Sequence, residues 1–387
     1  MNCVADSTDE RLFRALTGVS REEFRALLDV FTTSYFTLRE AAYQANTATR
    51  RRKPGGGAKG KLATCAATLF FLLYYWKNYP TCDVQGNHFG LDRSNACRNV
   101  HKLWPILEHA LAQLGLLPAR AFQSVEELQA AFADIKELLI DATERAVARP
   151  QDEEVQQATF SGKKHRHTVK NTIISAGNRN ILYIGYTVAG SQHDYGLFTQ
   201  EFPPGEGWFS TFKVWVDLGY LGFRKDYDGL EIFIPHKTPR ASKANPHPSL
   251  TTDPKDENRE QSRVRVVVEH AIGGMKRFAI LVHAFRNRTP GFVDSVALLG
   301  AGLWNWKLAC QHADSQVTSH PDGVSYAREV CWNWRQRAEI ACRVGRRITP
   351  PSPPQSRTYA TNVSGSSWPL RGTGTGSLSE QPHRLLL

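Results

Sequence analysis

Five short runs of apolar and β-branched residues lie between residues 136 and 235, and polar or turn-forming segments separate them. Runs of this length that are rich in Ile, Val, Tyr and Thr are typical of β-strands. The five runs cover residues 136–141, 168–175, 181–188, 214–217 and 231–235. Helical spacing returns at residues 260–281 and 292–310. Strands followed by long helices predict an α/β domain.

The residues before this region carry helical spacing instead. Apolar side chains recur at helical spacing between residues 9 and 47, and Ser20 followed by Glu23 forms a capping box that predicts the start of a helix. Four more helices are predicted over residues 61–78, 82–89, 94–103 and 104–114. We therefore expect the first part of the chain to be all-helical.

A short turn, Gly90-Leu91-Asp92, separates the helices predicted over residues 82–89 and 94–103. A helix, a short turn that contains Gly and a second helix form the layout of a helix-turn-helix motif. In that interpretation Ser94, Asn95 and Arg98 face a DNA groove, together with His101. Any three-helix bundle produces the same pattern, so a purely structural role is the alternative.

Changes in composition divide the chain into four parts. An N-terminal helical segment at residues 1–49 precedes a helix-turn-helix region at residues 50–130, which opens with the basic, turn-rich segment 50–57. The α/β domain takes residues 131–312. Residues 313–387 are rich in Ser, Thr, Gly and Pro, which predicts a disordered tail.

The chain has 48 Lys and Arg against 37 Asp and Glu, a net charge of +11. This excess favours a polyanionic partner but does not identify it. The seven cysteines include no CxxC pair, which argues against a structural zinc site or a disulfide framework. The sequence opens without a signal pattern, and its longest apolar stretch, residues 63–76, is too short to span a membrane. We therefore expect a cytoplasmic protein with no membrane partner.

Three acids have contexts that suggest a metal site. Asp141 and Asp217 each end an apolar strand-like run, and Glu269 lies inside a predicted helix after three valines. Strand ends at one edge of a sheet lie close together, and carboxylates at such an edge hold hard divalent cations. Two Mg²⁺ ions held in this way can activate a hydroxyl for attack on a phosphodiester.

Each acid also has an ordinary explanation. Asp after a strand is commonly a turn former or a helix cap, and Glu in a helix is usually solvated. Arg265, Glu269 and Lys276 share one stripe of their helix, since 3.6 residues make a turn. The three residues either form ion pairs with one another on the helix surface, or Glu269 belongs to a metal site and the two cations beside it hold phosphate.

Three motifs carry a family resemblance, and each contains one of the three acids. They are residues 141–144 with the basic segment 160–170, residues 217–222, and Arg265, Glu269 and Lys276 at their spacing. On the basis of these motifs, the chain resembles bacterial insertion-sequence transposases of the DDE superfamily, in the branch related to Harbinger-type elements. The resemblance covers residues 10–310. The chain departs from the family pattern at Ala142, where Gly is usual, and at Ser262, where Tyr is frequent.

The resemblance implies an RNase-H-like mixed sheet with flanking helices, in an α/β catalytic domain that follows the helix-turn-helix region. Asp141 would lie on the first strand, Asp217 just after the fourth and Glu269 on a later helix, and the three would bind Mg²⁺ or Mn²⁺. The implied activity is cleavage at transposon ends followed by strand transfer, close to the bacterial nucleoid. The implied partners are terminal inverted repeats, target DNA and at least one further copy of the chain in the synaptic complex.

The remaining candidates are basic residues for DNA phosphates. The segment 160–170 contains no acid, and Lys and Arg displace the counterions of DNA. These candidates are Lys163, Lys164, Arg166 and Lys170, together with Arg265 and Lys276. A basic strand edge that discourages aggregation is the alternative for the first four. His193-Asp194 also resembles a family pair, which either supports the acidic site or forms a turn.

Two other functions remain open at this point. One is an inactive or repurposed DNA-binding protein derived from a transposase. The other is a nuclease of the same fold that cleaves DNA but does not join it. Mg²⁺-dependent cleavage distinguishes the first from a transposase, and joining of pre-cut ends distinguishes the second.

Overall fold

The structure is a computed structural model that describes residues 9–46, 60–241 and 246–317, with side chains as far as residue 312. The basic segment 50–57 and, from residue 318 onward, the predicted tail lie outside the described residues. The first part of the described chain is all-helical, as predicted. Its helices are α1 (Glu10–Thr17), α2 (Arg21–Ala45), α3 (Cys65–Asn78), α4 (Cys82–Phe89), α5 (Arg93–Gln113) and α6 (Val125–Ala131).

The capping box predicted at Ser20 and Glu23 is confirmed. The backbone N–H of Glu23 donates to Ser20 Oγ (3.0 Å), and the backbone N–H of Ser20 donates to Glu23 Oε2 (2.6 Å). These two bonds satisfy backbone donors that a helix start leaves unpaired, so α2 begins at Arg21. The bounds predicted for α4 are confirmed as well.

The expectation of two helices over residues 94–103 and 104–114 is wrong, because α5 runs through both. Pro105 lies inside α5 and removes the N–H that would bond to the carbonyl of His101. Leu103, Ile106 and Leu107 on either side of it are buried in one hydrophobic cluster. This packing keeps the helix continuous across the missing hydrogen bond.

The middle of the chain forms strands at all five predicted runs with shifted bounds, but the run at 181–188 divides into two strands, and a further short strand at Phe160–Ser161 was not predicted. They are β1 (Glu137–Ala146), β2 (Phe160–Ser161), β3 (Arg166–Ala176), β4 (Ile181–Ile184), β5 (Val188–Ala189), β6 (Phe209–Trp215) and β7 (Gly229–Phe233). Further helices accompany and follow the strands. They are α7 (Glu153–Thr159), α8 (Asp194–Glu201), α9 (Phe223–Asp226), α10 (Thr252–Met275) and α11 (Phe292–Val317).

The strands form one mixed sheet with β1 at its centre. The order is β2-β3-β1-β6-β7, and β4 and β5 also pair with β3. β1 is antiparallel to β3 and parallel to β6, while β6 is parallel to β7. An antiparallel meander followed by parallel strands, with helices around them, fits the RNase-H-like core that the resemblance implies.

Asp141 lies in the middle of β1 and not at its tip, which corrects the prediction from the apolar run. β1 continues to Ala146 because it pairs with β3 along nearly its whole length, from Leu138 opposite Ala176 to Ala146 opposite Thr168. Its parallel pairing with β6 is much shorter and stops where Leu139 meets Trp215. Asp141 is therefore just past the end of the parallel pairing.

Two hydrophobic clusters cover the two faces of the sheet. Successive residues of a strand point to opposite faces, so Leu139 joins one cluster and Leu138 joins the other. The cluster around Leu139 contains residues of α1, α2, α3, α5, α10 and α11. Trp76 of α3, for example, packs edge-on against Phe292 of α11, with ring centroids 5.8 Å apart. The boundary near residue 130 is thus a change of architecture within a shared core.

Asn305 of α11 is a buried polar residue whose side chain forms three hydrogen bonds in this core. We expect Asn305→Ala to lower the free energy of unfolding by about 3 kcal/mol, because it leaves the partners of these bonds unpaired. The buried side chain accepts from the backbone N–H of Ile181 (2.9 Å) and donates to the carbonyls of Ile181 (2.9 Å) and Leu116 (3.0 Å). Urea denaturation measures the change. The exposed Asn178 bonds only within its own turn, so Asn178→Ala should cost well under half as much.

Candidate active site

Asp141 and Asp217 lie side by side at the end of the parallel pairing between β1 and β6. Leu139 and Trp215 are register partners, and each aspartate comes two residues later in its own strand direction. Because side chains alternate along a strand, both aspartates point to the face that α10 covers. Asp217 also precedes a short 3-10 helix at Leu218–Tyr220, so the extended strand conformation ends at this point.

The carboxyl group of Asp141 is largely buried and surrounded by like charges. Its pKa is raised to about 6, mainly by burial, and the negative charges of Asp217 and Asp194 contribute to the rise. The backbone N–H of Ala142, which donates to Asp141 Oδ1 at 2.7 Å, and the charge of Arg265 act in the opposite direction. The carboxyl of Asp141 is therefore harder to ionise than that of an exposed aspartate.

Two cations on and just after α10 reach this site, as the shared stripe predicts. Arg265 Nη2 lies 3.2 Å from Asp217 Oδ1, and its side chain is only 14% exposed. Lys276 Nζ donates to the backbone carbonyl of Glu144 on β1 (3.4 Å). Burial lowers the pKa of Lys276, as do the charges of Arg145 and Lys164, whereas Asp141 and Glu144 favour its charged form.

Glu269 occupies a different environment from the two aspartates. It is exposed on α10, one helical turn after Arg265. Within the ranges that the structure describes, no three His, Cys, Asp or Glu side chains are close enough together to hold a metal ion. The structure thus brings Asp141 and Asp217 together and puts Glu269 on the helix that covers them, and a ligand role for Glu269 stays a prediction.

The donor set nevertheless suits a hard divalent cation. Asp141 and Asp217 offer carboxylate oxygens, which are the ligands that Mg²⁺ and Mn²⁺ prefer. A cation beside Asp141 would offset the burial and the smaller repulsion by Asp217 that raise the pKa of Asp141.

The basic segment divides into an exposed turn and a buried lysine. Lys163, Lys164 and Arg166 are exposed at the hairpin between β2 and β3. Lys170 is buried instead: its Nζ lies 2.7 Å from Asp194 Oδ1 and donates to the carbonyl of Gln192 (2.7 Å). The expected phosphate contact does not fit Lys170, because its ammonium group points inward and is already paired.

Three further polar residues near the site were not among the predicted site residues. Asp194 begins α8 and is paired with Lys170. Burial raises the pKa of Glu201, at the other end of α8, to about 7. Tyr220 is fully buried, and its hydroxyl has no hydrogen-bond partner in the described part of the chain. Of these, only Asp194 had a signal in the sequence, through the pair His193-Asp194.

A short turn joins α4 to α5, and whether the two helices act as a helix-turn-helix motif stays a prediction. Gly90 adopts a left-handed conformation (φ 67°) in the turn, and Asp92 caps α5 by accepting from the backbone N–H of Asn95 (2.9 Å). Ser94, Asn95 and Arg98 are exposed in the first turns of α5. A role in DNA reading stays a prediction for these three residues.

Comparisons with known proteins fit this geometry. The family described as "DDE superfamily endonuclease" matches residues 140–305, which include Asp141, Asp217 and Glu269. The "Probable transposase for insertion sequence element IS702" of Microchaete diplosiphon is 30% identical over 302 residues, which cover 77% of this chain and 95% of that protein. This chain belongs to the DDE-superfamily transposases. No solved structure matches it.

The carboxylates and cations between β1, β6 and α10 lie inside the region that matches DDE superfamily endonucleases. The family relationship extends well beyond the sheet, since the match to the Microchaete diplosiphon protein covers more than the endonuclease region alone. None of the helices in the described ranges is long and apolar enough to cross a membrane.

The buried carboxyl of Asp141 generates a pH-dependent prediction for Asp141→Asn. A folded pKa of about 6 lies above the ordinary value of 3.8, so the wild type loses stability as pH rises from 3.8 through 6. We expect the variant to be more stable than the wild type by about 2 kcal/mol at pH 8 and equally stable near pH 4. Thermal melts in a chelator measure this difference, and Asp134→Asn, at an exposed position, should show none.

Lys170 is buried and Lys163 is exposed, so we expect the replacement of Lys170 to lower stability and the replacement of Lys163 to affect only DNA binding. Lys170→Met should lower the free energy of unfolding by about 1–3 kcal/mol, because it leaves Asp194 and the carbonyl of Gln192 without their partner. Lys163→Met should leave stability unchanged and reduce the salt dependence of DNA binding. Denaturation curves and salt titrations of both variants test this, and equal stabilities would contradict it.

Proposed function

We propose that this chain cleaves DNA at the ends of an insertion sequence and joins those ends to target DNA. The observation that carries the proposal is the convergence of Asp141 and Asp217 at the end of the β1–β6 pairing, inside the region that matches DDE superfamily endonucleases. Both carboxylates are covered by the helix that carries Arg265 and Glu269.

In this proposal Asp141, Asp217 and Glu269 hold a divalent ion, Mg²⁺ or Mn²⁺. Bound there, the ion would supply Lewis-acid activation of a phosphodiester and of the attacking hydroxyl. Glu269 is exposed on α10, one helical turn after Arg265, whose guanidinium group lies beside Asp217. The partial burial of Asp141 limits the access of water to the carboxylate.

The cations around the acids have separate proposed roles. Arg265 offers a guanidinium group at the carboxylates and can pass it to a phosphate oxygen when DNA binds. Lys276, beside β1, carries a second charge at the same edge. Lys163, Lys164 and Arg166 form an exposed hairpin that can follow the DNA backbone.

The helices α4 and α5 are proposed to bind the terminal repeats of the element. Ser94, Asn95 and Arg98 stand at the start of α5, where the second helix of a helix-turn-helix contacts base edges. Both ends of an element must be held at once, so at least two copies of the chain are expected in the reacting complex. The Harbinger-related branch remains a prediction from the sequence motifs.

Replacement of each proposed ligand should abolish catalysis without abolishing DNA binding. Asp141→Asn, Asp217→Asn and Glu269→Gln should each reduce Mg²⁺-dependent cleavage at least about 100-fold, because each removes one negative oxygen ligand. The measurement is cleavage of DNA that carries the ends of the chain's own element. Glu260→Gln, at an exposed position on the same helix, is the matched control and should cleave normally.

The same assay distinguishes the alternatives. Full nicking activity in any of the three variants would contradict the proposed ligand set. A wild type that binds the ends and never cleaves them would indicate an inactive DNA-binding protein. Cleavage without joining, tested with pre-cut ends, would indicate a nuclease that lacks strand transfer.

A further inference from the structure

The loop over residues 282–291, between α10 and α11, lies against the helix-turn-helix and has no assigned role. We propose that this loop is a second DNA-contacting segment, in which Arg288 binds a backbone phosphate beside the DNA that α5 engages. The proposal rests on the proposed function of α4 and α5 and adds a contact outside them. It is carried by the attachment of the loop, by its charge and by its place between α5 and β1.

The side chains of the loop are bonded directly to α5. Asn287 Nδ2 donates to His101 Nε2 (3.0 Å), and Thr289 Oγ1 lies 3.4 Å from the same nitrogen. His101 is three residues after Arg98 on α5, so the two are neighbours on the helix surface. Arg288 lies in the chain between these two residues that contact His101, and so next to the helix that carries the proposed DNA-reading residues.

Arg286 fixes the loop to the start of the helix-turn-helix. Its backbone N–H donates to the hydroxyl of Tyr79 (2.7 Å), and its Nη2 donates to the carbonyl of Tyr79 (2.7 Å). The guanidinium group also lies 4.3 Å from the centre of the Tyr79 ring. Tyr79 has a positive φ of 46°, a conformation that is unfavourable for a bulky residue. Three contacts from one arginine stabilise it where α3 ends.

The other side of the loop is attached to the strand that carries Asp141. The backbone N–H of Phe285 donates to the carbonyl of Ala146 at the end of β1, and the N–H of Ala148 donates to the carbonyl of Phe285, both at 2.9 Å. The buried ring of Phe285 stacks parallel to that of Tyr79. The loop thus bridges α5 and β1 with a defined geometry, which reduces the entropy lost when it binds a ligand.

The charge of this region suits a polyanion. No acid occurs between residues 270 and 293. Arg288 is exposed, and none of the ion pairs found among the described residues involves it. Arg98 and Lys102 are exposed nearby on α5, and the hydrogen bonds of Arg98 go to Ser94 and Asn95 and not to an acid. Arg98, Lys102 and Arg288 thus add positive charge to α5 and to the loop bonded to it, which favours contact with the phosphates of a DNA backbone.

The test is the salt dependence of binding to a short mixed-sequence DNA duplex. A phosphate contact contributes about 0.9 to the slope of log affinity against log salt, which is about eightfold in affinity near 0.1 M salt. Arg288→Ala should lose about that much affinity and that much slope on every duplex sequence. Arg288→Lys keeps the charge and should restore most of both.

A matched control separates this contact from a change in net charge. Arg25→Ala removes one positive charge from an exposed side chain on α2 and should leave affinity and slope unchanged. Wild-type affinity and slope in Arg288→Ala would overturn the inference. An equal loss in Arg25→Ala would overturn it too, because the effect would then follow overall charge.

Arg98→Ala, measured in parallel, distinguishes failure of this inference from failure of the proposed function. If Arg98→Ala weakens binding and Arg288→Ala does not, α5 binds DNA and the loop does not, which overturns the inference alone. If the wild type binds no duplex at all, both the inference and the proposed role of α5 are overturned. Parallel losses in the two variants, with unchanged thermal melts, are the expected result.

Discussion

The pairing of β1 with two different neighbours is the constraint on which the candidate site depends. β1 is held along nearly its full length by antiparallel β3 and only briefly by parallel β6. The short parallel contact ends just before Asp141 and Asp217, so the two carboxylates meet where β6 leaves the sheet. A shift of one residue in this register would turn Asp141 to the opposite face, toward the aromatic cluster around Phe198.

The register also has an electrostatic consequence. Carboxylates that converge beneath a helix are costly, and the raised pKa of Asp141 reflects that cost. Arg265 lies beside Asp217 and offsets part of the negative charge of the carboxylates. Lys170 forms an ion pair with Asp194. Arg265 and Lys170 were both predicted to contact DNA phosphates, but only Arg265 reaches the proposed reaction site, since Lys170 is buried beside Asp194.

The shared core connects this site to the N-terminal helices. Side chains of α3 and α5 pack against α10 and α11 in the same cluster that covers the α10 face of the sheet. The contacts of Arg286 with Tyr79 and the backbone bonds of Phe285 to β1 add a polar link between the same parts. Helix α5 and Asp141 are thus parts of one packed structure, which gives the proposed DNA contacts a fixed position relative to the acids.

The sequence alone predicted an all-helical first part followed by strands and then long helices, because periodicity and capping are local properties. The capping box at Ser20, the bounds of α4 and the three acids with their neighbouring cations were all readable from it. Only the tertiary structure decided that Asp141 is mid-strand, that α5 continues through Pro105 and that Lys170 points inward. These features depend on partners far apart in the chain, such as β3 for β1 and Asp194 for Lys170, and no local pattern records which partner a residue will meet.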